Sequence, residues 1–327
     1  MAETMKAVMF VPGLGGATQA ILVRPVPVPG PGEALVRVHA AGVNRGEFYI
    51  RRGLTSGDPQ PAGIESAGEV VALGEGTTQV KVGDRVMCHQ RGGQAEYVAA
   101  DQRLLVPIPK RLSWVEAAAW LNVNVTAHDA IVSNARLQSG KSLLVNAASS
   151  SIGVASLQIA RLLGAKPVIA TSRSRAKLDA LRAHGMTVGI DVTAGPLAPA
   201  VMEATGGRGV DVIVDNVGGN MLGQHLDALA VLGRLVSVGR LGAETGELNM
   251  ELLAHKRAKL IGATFRTRSQ EERIACVRRC AEDLWGALDD GRLQPLVHRT
   301  FRMAEAKLAH DCMAQDQHIG KLVLEIR

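Results

Sequence analysis

The stretch Asn146-Ala147-Ala148-Ser149-Ser150-Ser151-Ile152-Gly153 carries the residue types that a diphosphate needs. It follows the apolar run Leu143-Leu144-Val145 and opens a helical pattern from Ile152 to Leu163. Small side chains let a backbone come close to a pyrophosphate, and a helix N-terminus offers N–H groups and a positive dipole end. Only Gly153 survives from the G-x-G-x-x-G spacing, so the strand–turn–helix context carries the reading, with Ser150, Ser151, Ile152 and Gly153 as expected contacts. The plain alternative is a small-residue turn with no ligand. Nineteen residues beyond Gly153 stands Ser172, followed by Arg173, Ser174 and Arg175, with Lys177 close by. A dinucleotide with a free ribose 2′-OH is held by Asp or Glu at about this distance. Here there are hydroxyls and cations instead, which suit a 2′-phosphate. NADPH is therefore expected over NADH, with Ser172, Arg173 and Lys177 as ligands. The competing reading is a basic helix start capped by Ser172 or Ser174.

These residues need a parallel sheet to position them, and the pattern supplies one. Between about 127 and 264, apolar strands alternate with helical stretches, the signature of βαβ units. Strands are expected at Ser142–Asn146, Pro167–Thr171, Val210–Asp215, Arg234–Val238 and Lys259–Ala263, with helices such as Ile152–Leu163 and Ala176–His184 between them. Residues 5–110 read differently: short strands (Lys6–Val11, Ala34–Val38, Glu69–Leu73) punctuated by Gly and Pro fit a barrel-like β domain. The run Arg24–Gly32 holds four prolines and reads as an extended surface connection. A long helix is expected from Ser269 to about Asp290, with Ser269 and Glu272 as a capping box, and a last strand over Lys321–Ile326. The predicted fold is α/β plus β, a doubly wound parallel sheet inserted after a barrel-like β-rich domain. The expected domains are 1–126 with 265–327, and 127–264.

Composition excludes several other classes. With 327 residues, 46% hydrophobic and 21% charged, the chain is an ordinary globular one of about two domains. Four cysteines rule out a disulfide scaffold. No apolar run reaches membrane-spanning length, and Met1–Pro12 has no apolar run of signal-peptide length, so a cytoplasmic setting and no membrane association are expected. The net charge of +6 is spread out, and three Trp, two Tyr and four Phe are too few for a base-stacking surface, so no nucleic-acid partner is expected. No G-x-S-x-G and no trusted Ser/His/Asp spacing supports a hydrolase.

Read in order, Ala41-Gly42-Val43-Asn44-Arg45-Gly46-Glu47-Phe48-Tyr49, Gly63-Ile64-Glu65-Ser66-Ala67-Gly68, Val82-Gly83-Asp84-Arg85-Val86, Val210-Asp211-Val212-Ile213-Val214-Asp215-Asn216-Val217-Gly218-Gly219 and Gly320-Lys321-Leu322-Val323-Leu324 span nearly the whole chain. Together they resemble the medium-chain dehydrogenase/reductase superfamily, and within it the zinc-free NADPH:quinone oxidoreductase branch. The resemblance implies a GroES-like catalytic domain, a Rossmann NADPH domain and a homodimer joined near Lys259–Phe265. Zinc-dependent relatives carry a Cys and a Gly-His-Glu motif where this chain has Asn44 and Ile64, and it also lacks a four-cysteine lobe. Cys88 with His89 and Cys276 with Cys280 are the only local thiol pairs, and packing or surface thiols are the expected reading. No metal is predicted.

Carried over by position, Asn44 takes the place of the metal ligand, near the nicotinamide ribose or carbonyl. Tyr49 matches a pocket tyrosine able to give a proton or hydrogen bond to an enolate oxygen. Glu65 remains from the Gly-His-Glu motif without a clear role. Thr126, Asn216, Gly239, Arg240 and Gln317 are the remaining expected cofactor contacts. Arg266 and Arg268 fit either an anionic ligand or a solvated helix start. Without a Lewis acid, a conjugated acceptor is the simpler hydride target, because the resulting charge spreads to a remote oxygen. The expected activity is NADPH-dependent reduction of a quinone or α,β-unsaturated carbonyl. A trans-2-enoyl-thioester reductase is the second enzyme reading, although Arg45 follows Asn44 where that branch has Asn-Pro. A non-catalytic NADPH-binding sensor or structural protein is the reading from another class. Arg173→Ala is expected to weaken NADPH binding by about 1–3 kcal/mol and to leave NADH nearly untouched. Titration of both cofactors checks this, and equal losses would exclude the 2′-phosphate assignment.

Overall fold

The computed structural model describes residues 3–327. Met1 and Ala2, the start of the segment read as lacking a signal sequence, lie outside the described residues. The chain forms two compact units: one takes it up to Asn122 and again from Gln270 to Arg327, the other is Val123–Ser269.

The first unit opens with β1 (Thr4–Val11), β2 (Thr18–Pro25), β3 (Glu33–Gly42), α1 (Glu47–Gly53), β4 (Gln60–Pro61), β5 (Ser66–Leu73), β6 (Arg85–Cys88), β7 (Tyr97–Asp101), β8 (Leu105–Pro107) and α2 (Trp114–Ala118). The helix α3 (Leu121–His128) then leads the chain into the second unit. The proline-rich connection begins two residues later than the sequence suggests. Arg24 and Pro25 finish β2, which is an edge strand, where a missing N–H costs no ladder bond. Strand β3 is central: it pairs with β5 and β7, and Ala34, Val36, Val38 and Ala40 are sealed from solvent. Ser113 caps α2 in a reciprocal pair with Glu116.

The second unit contains β9 (Leu143–Val145), α4 (Ser151–Leu162), β10 (Val168–Ser172), α5 (Arg175–Leu181), β11 (Val188–Asp191), α6 (Leu197–Ala204), β12 (Val210–Asp215), α7 (Leu222–Ala228), β13 (Leu229–Ser237), α8 (Met250–Lys256) and β14 (Lys259–Gly262). Its six strands are all parallel, in the order β11-β10-β9-β12-β13-β14. Strands covered on both faces read as unbroken apolar runs, as Leu143-Leu144-Val145 does. The chain reverses its direction of travel across the sheet between β9 and β12, which opens a crevice at the strands' carboxyl ends. The expected strand Val210–Asp215 forms with those ends, the other four form with one or both ends shifted, and β13 starts five residues earlier than its expected Arg234. Strand β11 escapes the sequence pattern because it is only Val-Gly-Ile-Asp, too short for a periodic signal.

The return to the first unit is α9 (Gln270–Asp289), β15 (Val297–Arg302), α10 (Ala306–Ala314) and β16 (Lys321–Glu325). Strand β16 lies between β15 and β3, so the chain's last strand becomes part of the sheet built by its first hundred residues. Cys276 and Cys280 face inward from α9, so the surface-thiol alternative does not hold for either. Among the described residues, no helix is long and apolar enough to cross a membrane.

Candidate functional site

In the second unit, Ser150 caps α4: its hydroxyl accepts from the Gly153 N–H at 3.1 Å. A Cβ on Gly153 would lie 2.4 Å from the Ala148 carbonyl oxygen, so only glycine fits there. The chain enters the helix through Ala147, which has a left-handed φ of 51°. A non-glycine residue held in that region is strained, and such strain clusters at ligand sites. The Ala147 N–H donates to Asn146 Oδ1 at 3.0 Å and to Thr171 Oγ1 at 3.2 Å. The cradle beside the switch point is thus built of small residues, one missing Cβ and the start of a twelve-residue helix. It fits a dinucleotide pyrophosphate.

At the end of β10, Ser172 Oγ accepts from the Ser174 N–H at 3.1 Å, and Ser174 caps α5. Arg173 is exposed and Lys177 half-buried, with no carboxylate between Ser172 and Lys177. Arg175 turns instead toward Asp179, at 3.6 Å. Asn216 follows β12 and donates to the Asn146 carbonyl at 2.9 Å. Gly239 follows β13 so closely that a Cβ would meet the Asn216 carbonyl at 2.5 Å. Ser150, Ser151, Ile152, Gly153, Ser172, Arg173, Lys177, Asn216, Gly239 and Arg240 therefore all belong to carboxyl-end loops and helix starts of one parallel sheet. Thr126 lies on α3, away from any strand end in sequence. Arg266 is exposed. Arg268 is not a solvated helix-start residue: it donates to Asp129 Oδ2 at 2.7 Å and to the Thr264 carbonyl at 3.1 Å, and stacks 4.6 Å over Phe265.

In the first unit, Asn44 is buried at the end of β3, beside a carboxylate and an ammonium. Its amide donates to Glu65 Oε1 at 2.9 Å and to the Gly42 carbonyl at 3.2 Å. Its oxygen accepts from Asn122 Nδ2 at 2.9 Å and from Lys321 Nζ at 2.5 Å. All four hydrogen-bonding positions of that side chain are filled within the unit. Glu65 is 1% exposed and meets Lys321 Nζ at 2.5 Å, while its second oxygen accepts from the Asn122 N–H at 2.9 Å. Strand register explains the meeting: Val323 pairs with Gly42 and Ser66 with Ala41, which brings Lys321, the first residue of β16, and Glu65, just before β5, level with the end of β3. A Cβ on Gly42 would lie 2.4 Å from Glu65 Oε1, so glycine there leaves room for the carboxylate.

Glu47 extends this buried network. It accepts from the Asn44 N–H, the Gly63 N–H and Gln94 Nε2, and lies 3.5 Å from His310 Nε2. Because Glu47 starts α1, the network fixes the helix that carries the half-buried Tyr49. His89 joins through Asn122 Oδ1 at 3.1 Å. Burial first, and the Arg273 cation second, push its pKa down to about 4, so it is neutral near pH 7. Burial pushes the Cys88 thiol up to about 12, which makes it inert at neutral pH. Gln317 is exposed near the end of α10.

This donor set does not suit zinc. The Asn44 and Ile64 positions offer neither thiolate nor imidazole, and the one remaining carboxylate is already paired with an internal ammonium. Among the described residues, no group of three or more His, Cys, Asp or Glu could hold a metal ion.

The sequence reading missed Lys321, Asn122, Glu47, Gln94 and His310. Lys321 stood in a quoted motif, and a single Lys opening the apolar run Leu322-Val323-Leu324 was the available signal. Asn122 and Asn124 interrupt an equally apolar run. Nothing local marks Gln94 or His310.

Residues 30–110 match the model of the alcohol dehydrogenase GroES-like domain, and residues 151–282 match that of the zinc-binding dehydrogenase. A quinone oxidoreductase of Pseudomonas aeruginosa is 32% identical over 304 residues, covering 90% of this chain and 92% of that protein. The polyketide synthase GfsB of Streptomyces halstedii is 34% identical over 295 residues, 90% of this chain but 5% of the synthase. Among solved structures, a quinone oxidoreductase of Pseudomonas syringae superposes with a TM-score of 0.87 at 27% identity, covering 98% of this chain and 100% of that one. A mycobacterial protein complexed with NADPH gives 0.88 at 27% identity, with the same coverage. The chain belongs to the medium-chain dehydrogenase/reductase family, in its quinone oxidoreductase-like branch, and is an oxidoreductase of that type.

Lys321→Met strands a buried carboxylate and is expected to cost about 3–5 kcal/mol, whereas adding Glu65→Gln recovers most of that loss. Urea unfolding midpoints check this; a double variant as unstable as the sum of the single ones would mean that the pair is not coupled.

Proposed function

We propose that this oxidoreductase uses NADPH to reduce a quinone or an α,β-unsaturated carbonyl, without a catalytic metal. The observation that carries the reading is the end of β10, where Ser172, Arg173 and Lys177 stand in place of the carboxylate that a 2′-OH would call for. Ser150, Ser151, Ile152 and Gly153 hold the pyrophosphate, and Thr126, Asn216, Gly239, Arg240 and Gln317 complete the cofactor contacts. The nicotinamide supplies the hydride. The protein orients it and excludes water.

In this reading Asn44 acts by holding the buried network in place rather than by offering a spare donor, since its hydrogen bonds are used. Tyr49 Oη hydrogen-bonds the acceptor's carbonyl oxygen and gives up its proton as charge develops there. The commitment of Glu65 to Lys321 supports metal-free chemistry on a conjugated acceptor. The likeness to a polyketide synthase favours a second substrate class, trans-2-enoyl thioesters. We further propose that a second copy docks at β14, an edge strand with Leu260 exposed; light scattering at the mass of a single chain would exclude that.

The test is NADPH consumption by chelator-treated protein, with a simple quinone, a simple enone and a short enoyl thioester in parallel. Turnover of the quinone or enone that survives the chelator and is much slower with NADH is expected. Fastest turnover of the thioester transfers the assignment to the second class. No turnover with any of them overturns both.

A further inference from the structure

Behind the dinucleotide turn lies a buried polar cluster that none of the chemistry above uses. Asn146 Oδ1 accepts from the Ala147 N–H at 3.0 Å and from Thr171 Oγ1 at 2.5 Å. Asn146 Nδ2 approaches Asp215 Oδ1 at 3.3 Å and His225 Nε2 at 2.9 Å. Asp215 in turn accepts from the N–H groups of Val217 and Gly218. His225, on α7, is fully buried, and its Nδ1 lies 3.6 Å from Asp215 Oδ2.

These contacts fix the orientation of the amide. The Asp215 carboxylate can only accept, so the NH2 group faces Asp215 and His225, and Oδ1 faces the turn, where it accepts from the Ala147 N–H. An NH2 group can only donate, so His225 Nε2 must be a bare acceptor and the ring proton must sit on Nδ1, toward Asp215. Protonation at Nε2 sets donor against donor. Asn146 could then relieve the clash only by rotating its NH2 toward the Ala147 N–H, which removes the nearer of the two oxygens that hold the strained left-handed turn.

We infer that His225 is a positioning residue for the dinucleotide turn, acting through Asn146, and that its neutral Nδ1–H form is required for tight binding of a dinucleotide pyrophosphate. This rests on the cofactor site proposed above. Burial, the larger influence, lowers the His225 pKa below its ordinary 6.5 against the pull of Asp215. Affinity is therefore full near neutrality and is lost as the pH falls below that ordinary value. Of the elements packed on α7, β12 contributes Asp215, α6 carries only the exposed Glu203, and the Arg234 guanidinium of β13 donates to the carbonyls of Asn134 and Ala135. Lys256 of α8 donates to the carbonyls of Leu226, Asp227 and Leu229, at the end of α7. Asp215 is thus the charge that faces the ring.

The experiment measures NADP+ dissociation constants from about pH 8 to about pH 4.5 for the wild type and for His225→Gln, which keeps an acceptor that does not titrate. The 2′-phosphate titrates in both, so it cancels in their ratio. The wild type is expected to lose affinity relative to H225Q on acidification, approaching about tenfold per pH unit below the His225 pKa. Parallel profiles overturn the role of His225 alone. No binding at any pH by the wild type overturns the cofactor site itself, and this inference with it. Should H225Q fail to fold, nitrogen NMR of histidine-labelled wild type decides: an Nδ1–H tautomer for His225 at about pH 8 supports the inference, and an Nε2–H tautomer overturns it.

Discussion

A carboxylate sealed from water must keep a cation beside it, and much of the first unit follows from that demand. Glu65 meets it with Lys321, from the far end of the chain. The pair forms only if β16 enters the sheet beside β3 in the observed register, with Val323 opposite Gly42. Gly42 must lack a side chain to leave room for the carboxylate. Asn44 then bridges acid and base, and Asn122 and Glu47 extend the bridge to α3 and α1. The same bonds that neutralise Glu65 thereby fix the helix bearing Tyr49. A site that another lineage could build around a divalent ion is here built around an ammonium.

The second unit has a different constraint. A parallel sheet with its reversal between β9 and β12 leaves the carboxyl ends of the strands open, and the polar groups gathered there must satisfy one another. Asn146 does this from the end of β9, reaching Thr171 near the end of β10, Asp215 at the end of β12 and His225 on α7. The strained backbone at Ala147 is tolerable because two acceptors hold its N–H. Rigidity in the turn thus comes from side chains behind it, and the diphosphate-facing surface can remain small and bare.

What the sequence could disclose depended on range. The strand–turn–helix around Gly153 and the missing carboxylate after β10 are local in the chain, so pattern and spacing reveal them. The buried network is made by residues far apart in sequence, Glu65 with Lys321 and Glu47 with His310, whose meeting depends on register. Asn44 stands out in the sequence, but its saturation by four partners was not legible there, since three of them come from distant segments. Arg268 looked available because nothing nearby in sequence opposes it; Asp129, its partner, lies across the fold of the second unit. Strand β11 was lost for the opposite reason, being too short to show any period.

In the proposed reaction, NADPH delivers hydride directly to a conjugated carbon and the proton is supplied separately. Transfer of label from the cofactor distinguishes this from other routes. Protein is supplied with NADPH deuterated at the transferable position of C4, together with a simple enone in ordinary water, and the product is read by mass spectrometry and NMR. One deuterium on the β-carbon and solvent hydrogen on the α-carbon is the predicted result. Reduced product with solvent hydrogen on the β-carbon would contradict it.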